Sequence, residues 1–320
     1  MKTLLLSIAT AMLAQCGNAH STRQSADNEA DTSNTATNSA ATDTACTAPT
    51  QQEDGCTTVY SSEDKAKTEM LIAKFSAKNE TSGNTLVVEI AREMRGIPYV
   101  AKTLENDSTE NLVVNLRQLD CTTYVENVLA IYLCVKNNRR TFADFCQYLR
   151  KIRYANGTVS YPTRQHYFTE WIEENTKDGL VKEIQAPNPP FTAVQHLSLN
   201  FMSTHASLYP MLKNNPEMVK PIAEMERRLS GKTYRYIPKA AIANNSTFRS
   251  AIHDGDIIAI TTSKGGLDTS HIGIAVWHKD GLHMLNASQI HKKVVEEPMP
   301  LYQYMQKHPS QTGIRIIRIL

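Results

Sequence analysis

Cys121 follows Arg117-Gln118-Leu119-Asp120 and precedes a run in which Val125, Val128, Leu129, Tyr132 and Leu133 recur at i, i+3, i+4, i+7 and i+8. That period is helical. Asp120 suits an N-cap, which puts Cys121 in the first turn. Unpaired N–H groups and the macrodipole there favour a thiolate, the form of cysteine that attacks a carbonyl. The same N–H groups can hold the oxyanion that such an attack creates. Position alone suits a small buried residue equally well, so a nucleophile needs a second signal, a base.

With ten histidines in the chain a partner arises by chance, and pattern must discriminate. His271 opens the apolar run Ile272-Gly273-Ile274-Ala275-Val276-Trp277, which reads as a strand. Alternation puts His271, Gly273 and Ala275 on one face, and small neighbours predict open space beside the ring. A second strand, Leu282 to Ala287, follows the turn His278-Lys279-Asp280-Gly281. If that turn is even, with His278 opposite Gly281, Gly273 faces Asn286, and Asn286 is the diagonal neighbour of His271. An odd turn sends Asn286 to the other face. On the near face its amide would hold the imidazole in one tautomer.

The elements around these three residues read as helices first and strands afterwards, an α+β order. Residues 63–78 and Thr85 to Met94 have helical spacing, the latter ended by Gly96, and Leu112 to Leu116 is extended. Residues 140 to about 245 read mostly as helices and loops, with helices over Thr141–Tyr154, Phe168–Asn175 and Pro216–Leu229. Strands are expected at Ile257–Thr262, His271–Trp277, Leu282–Ala287, Lys292–Glu296 and Ile314–Ile319. No internal repeat is found.

The N-terminus has a basic start at Lys2 and an apolar run from Leu4 to Leu13, too short to span a bilayer and suited to a secretory signal peptide over residues 1–19. Two processing routes fit. Leu13-Ala14-Gln15-Cys16 resembles a bacterial lipobox, which would leave a lipid on Cys16. Ordinary cleavage after Ala19 is the other. Either route exports the chain to the cell envelope, periplasmic or lipid-anchored. Residues 20–62 are dominated by Ser, Thr, Asn, Ala and Asp and read as a disordered polar tether. About 260 residues remain, enough for one large domain.

The net charge of +2, with no basic stripe interleaved with aromatics, argues against nucleic-acid binding. Any membrane contact would run through a lipid on Cys16. The six cysteines in an exported chain suggest disulfides. Cys46 can pair with Cys56, and Cys134 either pairs with Cys146 or stays a buried thiol. Cys121 is then left over, as a reactive thiol would be.

Asp120-Cys121 before an amphipathic helix, then Ser270-His271-Ile272-Gly273-Ile274, then Leu285-Asn286-Ala287, resembles the NlpC-type cell-wall cysteine peptidases. Gly96-Ile97-Pro98-Tyr99 resembles that family's upstream segment, where a tyrosine lines the site. Two departures are evident. The third residue of the family is often His and here is Asn286, and its usual Ser-Gly after the cysteine is Thr122-Thr123. Tyr161 to Ile172 (YPTRQHYFTEWI), Phe201 to His205 and Gly266 to His271 narrow the resemblance to the N-acetylmuramoyl-L-alanine amidase-like branch, over roughly residues 65 to 320.

The resemblance implies a papain-like core with a helical insertion at about 140–245, in one domain over 63–320. It implies a hydrolase that cleaves the amide between N-acetylmuramoyl, with a 1,6-anhydro sugar end, and L-alanine in peptidoglycan turnover fragments. It carries no cofactor and no metal. Cys121 would be the nucleophile, His271 the base and Asn286 its orienter. Tyr99, Arg164, His166, Tyr167, His205, Asp268 and Ser270 are the candidates for substrate contact. Blander roles compete: Arg164 can pair with Glu170 or Asp144, Tyr167 and Trp171 can pack at i and i+4, and His205 can be a satisfied loop histidine.

Three rivals remain. A γ-D-glutamyl–diamino-acid endopeptidase of the same class would release a smaller fragment. A zinc amidase would need clustered His and Glu ligands, an arrangement that His278, His283 and His291 lack in sequence. A non-catalytic wall-binding module would need no activated thiol, and iodoacetamide labelling of Cys121 near neutral pH separates it.

Overall fold

The computed structural model describes residues 50–53, 56–78, 83–105 and 109–320. The signal peptide, Cys16, Ala19, Cys46 and the tether up to residue 49 lie outside them, as does the side chain of Cys56. The first half contains β1 (Thr50–Glu53), β2 (Cys56–Val59), α1 (Ser62–Ser76), α2 (Gly83–Glu93), β3 (Leu112–Val113), α3 (Cys121–Lys136), α4 (Phe142–Arg153) and α5 (Phe168–Lys177). Then come β4 (Val181–Ile184), β5 (Ala193–His196), α6 (Phe201–Thr204), α7 (Pro216–Leu229), β6 (Thr233–Pro238) and α8 (Ser246–Ala251). The chain ends with β7 (Ile257–Thr262), β8 (Thr269–Trp277), β9 (Leu282–Ser288), β10 (Lys293–Glu296), α9 (Leu301–Gln306) and β11 (Gln311–Ile319).

Helix α3 is the axis of the molecule. Every residue from Thr123 to Cys134 is buried, the state expected of a helix that is apolar on nearly all sides. It packs against α1, α2 and α4 on one side and against the sheet on the other. The sheet is antiparallel, in the order β10-β9-β8-β7-β11-β6-β5. Strand β11 takes β7 along one edge, while β6 (at Gly313–Ile314) and β4 (at Ile316–Ile319) share the other.

Strand alternation gives the sheet two apolar faces. Ile257, Ala259, Ile272, Ile274, Leu285 and Ile317 face the α1–α4 layer. Ile258, Ile260, Ala275, Met284 and Ile316 face α8 and α9. A third cluster joins Tyr161 and Tyr167 to α6 and α7 through Met202, Ile222 and Leu229.

Two expectations give way. The stretch 140–245 is not a purely helical insertion, because it supplies β4, β5 and β6 to the sheet. These strands are short and polar on one side: Thr233 and Arg235 of β6 are exposed, and β5 alternates half-buried and exposed residues. The polar segment 20–62 is not tether to its end either. Strand β1 pairs antiparallel with β2, and β2 pairs in parallel with β3.

Candidate active site

The start of α3 is fixed by its cap. Asp120 adopts an extended conformation (φ −100°, ψ −178°), and its Oδ1 accepts the Thr123 N–H at 2.8 Å. In return the Thr123 hydroxyl accepts the Asp120 N–H at 3.0 Å, which closes a reciprocal box. The residue before the cap is tied down too. Leu119 N–H donates to Pro98 O at 3.0 Å, and Val100 N–H to Leu119 O at 3.1 Å. This ladder sets Tyr99 beside the helix start. Cys121, the first helical residue, is half-buried and lines two adjoining pockets.

His271 lines the smaller of these pockets together with Cys121, Thr122 and Ser270. Its backbone sits at a bulge: Ile260 pairs with His271, but Thr261 pairs with Thr269, so Ser270 is the extra residue. A bulge re-aims the neighbouring side chain. The β8–β9 turn is even. Trp277 pairs with Leu282 and the pairing runs to Ile274 with Leu285, a register that, continued by one residue, sets Asn286 opposite Gly273. His271 Nε2 lies 3.1 Å from Asn286 Oδ1. The amide is fixed in that orientation because its Nδ2 donates to Met284 O at 3.3 Å. An amide oxygen only accepts, so Nε2 carries the proton and Nδ1 is the basic nitrogen. Burial pushes the imidazole down to about 4, opposed in part by the Asn286 bond. The ring is therefore neutral at neutral pH, as a base must be.

The open space expected beside His271 at Gly273 is absent. A Cβ there would stand 2.5 Å from Met284 Cγ and 2.6 Å from Leu285 O. Gly273 lets β9, and with it Asn286, approach closely.

The larger pocket lies between Tyr99, Lys102, Glu105, Cys121, Arg164 and Tyr209, among others. Arg164 lies on its wall, buried, and its guanidinium is bound to Glu105 and Glu110. The sequence suggested Glu170 or Asp144. Glu170 instead holds Arg228 at 2.6 Å, and Asp144 caps α4. Beside this triad Arg153 pairs with Glu126 at 2.8 Å, both nearly inaccessible.

His166 lines both pockets. Its Nε2–H donates to Tyr161 O at 2.7 Å, and burial together with the Arg164 charge pushes it down to about 3. Tyr167 lines the larger pocket, but its hydroxyl donates to Glu226 at 2.6 Å in a buried network with α7. Ser270 lines the smaller pocket.

Two candidates stand elsewhere. Asp268 is fully buried and lines neither pocket. Its carboxylate accepts the Thr169 N–H at 2.6 Å and the Thr269 N–H at 2.7 Å, which anchors the start of α5 to the start of β8. His205 is exposed at the end of α6, stacked on Phe201 at 4.3 Å, and lines neither pocket. Sequence reasoning missed Gln165, which lines both pockets and accepts from Asn175 at 3.0 Å, and the Glu105 and Glu126 carboxylates of the wall. Charge alternation gave no signal for them, because their arginine partners lie 27 to 59 residues away.

At the closed end of the β8–β9 hairpin the fold joins what the sequence spaced apart: His278, Asp280 and His283 offer ligand atoms within 4.8 Å of one another. His291 does not join them and bonds Glu297.

The α+β domain thus gathers a thiol, an imidazole and an amide around one cleft. The chain belongs to the AmiA-like, N-acetylmuramoyl-L-alanine amidase-like family, whose model matches residues 89–314. It is similar to a crystal structure of an N-acetylmuramoyl-L-alanine amidase from Bacteroides uniformis, at 38% identity and a TM-score of 0.68 over 73% of this chain and 97% of that one. A Bacteroides fragilis structure bearing a xylanase name is 41% identical, with a TM-score of 0.67 over 72% of this chain and all of that one. A Legionella pneumophila protein at 24% identity and a TM-score of 0.61 shares the fold. No curated protein sequence matches the chain.

Proposed function

We propose that the protein is a cysteine amidase of NlpC type, with a papain-like core. Its bond would be the amide between N-acetylmuramoyl, in the 1,6-anhydro form, and L-alanine in peptidoglycan turnover fragments. The observation that carries the chemistry is the shared pocket of Cys121 and His271, with His271 Nε2 held by Asn286. The substrate rests on the family and on the Bacteroides uniformis amidase.

In this mechanism Cys121 Sγ attacks the lactyl carbonyl while His271 Nδ1 takes the thiol proton. The Thr123 and Tyr124 N–H groups are held by Asp120, so the oxyanion falls to the leading N–H groups of α3, with Tyr99 from across the cleft. The thioester forms as the C–N bond breaks, and His271 returns its proton to the departing alanine amine. Water activated by His271 then releases the muramic acid and regenerates the thiol. The step needs no metal or cofactor, and Asn286 acts as a positioning residue.

The xylanase name of the Bacteroides fragilis structure would require two available carboxylates about the glycosidic bond. Here Asp120 serves the helix cap, Glu126 holds Arg153 and Glu105 holds Arg164. The site therefore favours acyl transfer.

The deciding experiment incubates anhydro-muropeptides with the wild-type protein and with Cys121→Ala, and reads products by mass. An intact peptide beginning with L-alanine, from the wild type alone, is expected. A smaller fragment would replace the reading with the γ-D-glutamyl endopeptidase, and an unchanged substrate would overturn it. We further propose export to the envelope, as the leader suggests. Labelled palmitate incorporated by the full chain but not by Cys16→Ser would mark a lipid anchor, and processing after Ala19 without label a free periplasmic form.

A further inference from the structure

The two pockets of the cleft join at Cys121, and among the described residues Thr122, Gln165 and His166 also line both. A carbonyl attacked by the Cys121 thiolate lies at that junction, so the oxygen that gains charge must be met there. The His166 ring offers it nothing. Its N–H donates to Tyr161 O at 2.7 Å, and the other nitrogen of the neutral ring only accepts. The Thr122 hydroxyl can donate, but its hydrogen rotates to suit. Gln165 differs from both because its donor is fixed.

The Gln165 backbone N–H donates to Arg153 O at 3.0 Å, which hangs the residue from the end of α4. Its side chain is tied by Asn175, a fully buried residue of α5. Asn175 Nδ2 lies 3.0 Å from Ile152 O and 2.8 Å from Trp171 O. Both partners are carbonyls, so the Asn175 atom that meets them is its donor. The Gln165 atom 3.0 Å from that same nitrogen is therefore the acceptor Oε1, and the amide cannot be turned round. That leaves Nε2, with two N–H groups that nothing among the described residues accepts. Gln165 is only 7% exposed, yet its Nε2 is not sealed in.

We propose that Gln165 Nε2 is an oxyanion donor, and so a catalytic residue of the amidase proposed above, on which reading this assignment rests. As the Sγ–C bond forms, the C=O pair moves onto oxygen, and Nε2–H hydrogen-bonds to it without giving up the proton. When the pair returns, the C–N bond breaks and the amide is unchanged. Gln165 thus joins the leading N–H groups of α3 from the opposite wall. A donor held from both ends needs no reorganisation as the charge appears, which is where such groups act most strongly.

Two variants separate the donor from its support. Gln165→Glu keeps an oxygen for Asn175 and puts an acceptor where the donor was. Gln165→Met keeps the length and has neither. With anhydro-muropeptides, kcat is expected to fall about a hundredfold in both, with KM within about threefold of wild type. A raised KM at wild-type kcat would overturn the assignment and make Gln165 a ground-state contact. A second arm needs no muropeptide. p-Nitrophenyl acetate acylates a cysteine through an oxyanion, whereas iodoacetamide alkylates it without forming one. The ratio of the p-nitrophenolate burst rate to the alkylation rate cancels any change in the thiolate itself. That ratio is expected to fall roughly tenfold or more in both variants. A wild-type ratio in either would overturn the donor, whatever the muropeptides show. A lowered ratio in the variants, beside a wild type that leaves muropeptides intact, would keep the donor and sink the amidase reading. No burst from the wild type would overturn both.

Discussion

Along one wall of the cleft, Arg153 and Arg164 are buried and each is matched by carboxylates: Glu126 for the first, Glu105 and Glu110 for the second. Along the other, His271 is held by a neutral amide and faces the pocket that Cys121 shares. The first wall is electrostatically closed. Its charges satisfy one another, and a substrate that displaced them would have to replace full ion pairs. The second wall is positioned by weak neutral bonds, so its reactive atoms can still change protonation state. The cleft thus separates the groups that hold its shape from those proposed to act.

The contrast breaks first at Arg153. Replacing it by Met keeps the volume but leaves Glu126 buried and unpaired, for which about 3–5 kcal/mol of lost stability is expected. Adding Glu126→Leu should recover at least half of that, because the cost lies in the orphaned charge. Urea unfolding of the single and double variants measures both. A single variant of wild-type stability would mean that Glu126 is solvated and the wall is not closed. Arg164 stands with Arg153: its alanine variant should lose stability before it changes KM.

The closed wall was the less legible of the two in sequence. Glu126 and Arg153 lie on separate helices, and Glu105 and Arg164 meet only after the chain has folded back between them. Nothing in local periodicity marks such a pair. The reactive wall could be read because its signals are local. A cap residue before an apolar helix, and a histidine opening an apolar strand, are set by neighbours in sequence. Asn286 needed one more item of knowledge, the parity of a four-residue turn, which His278 N–H settles by donating to Gly281 O at 2.8 Å. Strands β4, β5 and β6 were missed for the opposite reason. They are short edge or half-edge strands with polar outer faces, and the sheet rather than their own composition makes them extended.

A smaller effect tests the neutral wall. Asn286→Ala removes one hydrogen bond to His271 and should cost on the order of 1–2 kcal/mol in the barrier, tenfold or somewhat more in kcat, with KM unchanged. Asn286→Asp should do something different. A carboxylate facing Nε2 stabilises imidazolium, so the acid limb of kcat/KM, set in the wild type near the His271 value of about 4, should move upward. Both variants behaving alike, with no shift of the limb, would mean that Asn286 only packs.

The smallest effect is on stability against pH. His271 and His166 are neutral in the folded protein, with values of about 4 and 3, while an unfolded histidine protonates near 6.5. Between 6.5 and about 4 the unfolded chain binds more protons at these two positions, so stability should fall as pH drops through that window and be independent of them above it. Each group contributes at most about 1.4 kcal/mol per pH unit. His166→Gln should remove about one proton from the slope of the unfolding free energy between pH 6 and 4.5. Because the Arg164 charge lies behind part of the His166 depression, the two walls are coupled here. An unchanged slope in that variant would place His166 in contact with water and separate the walls completely.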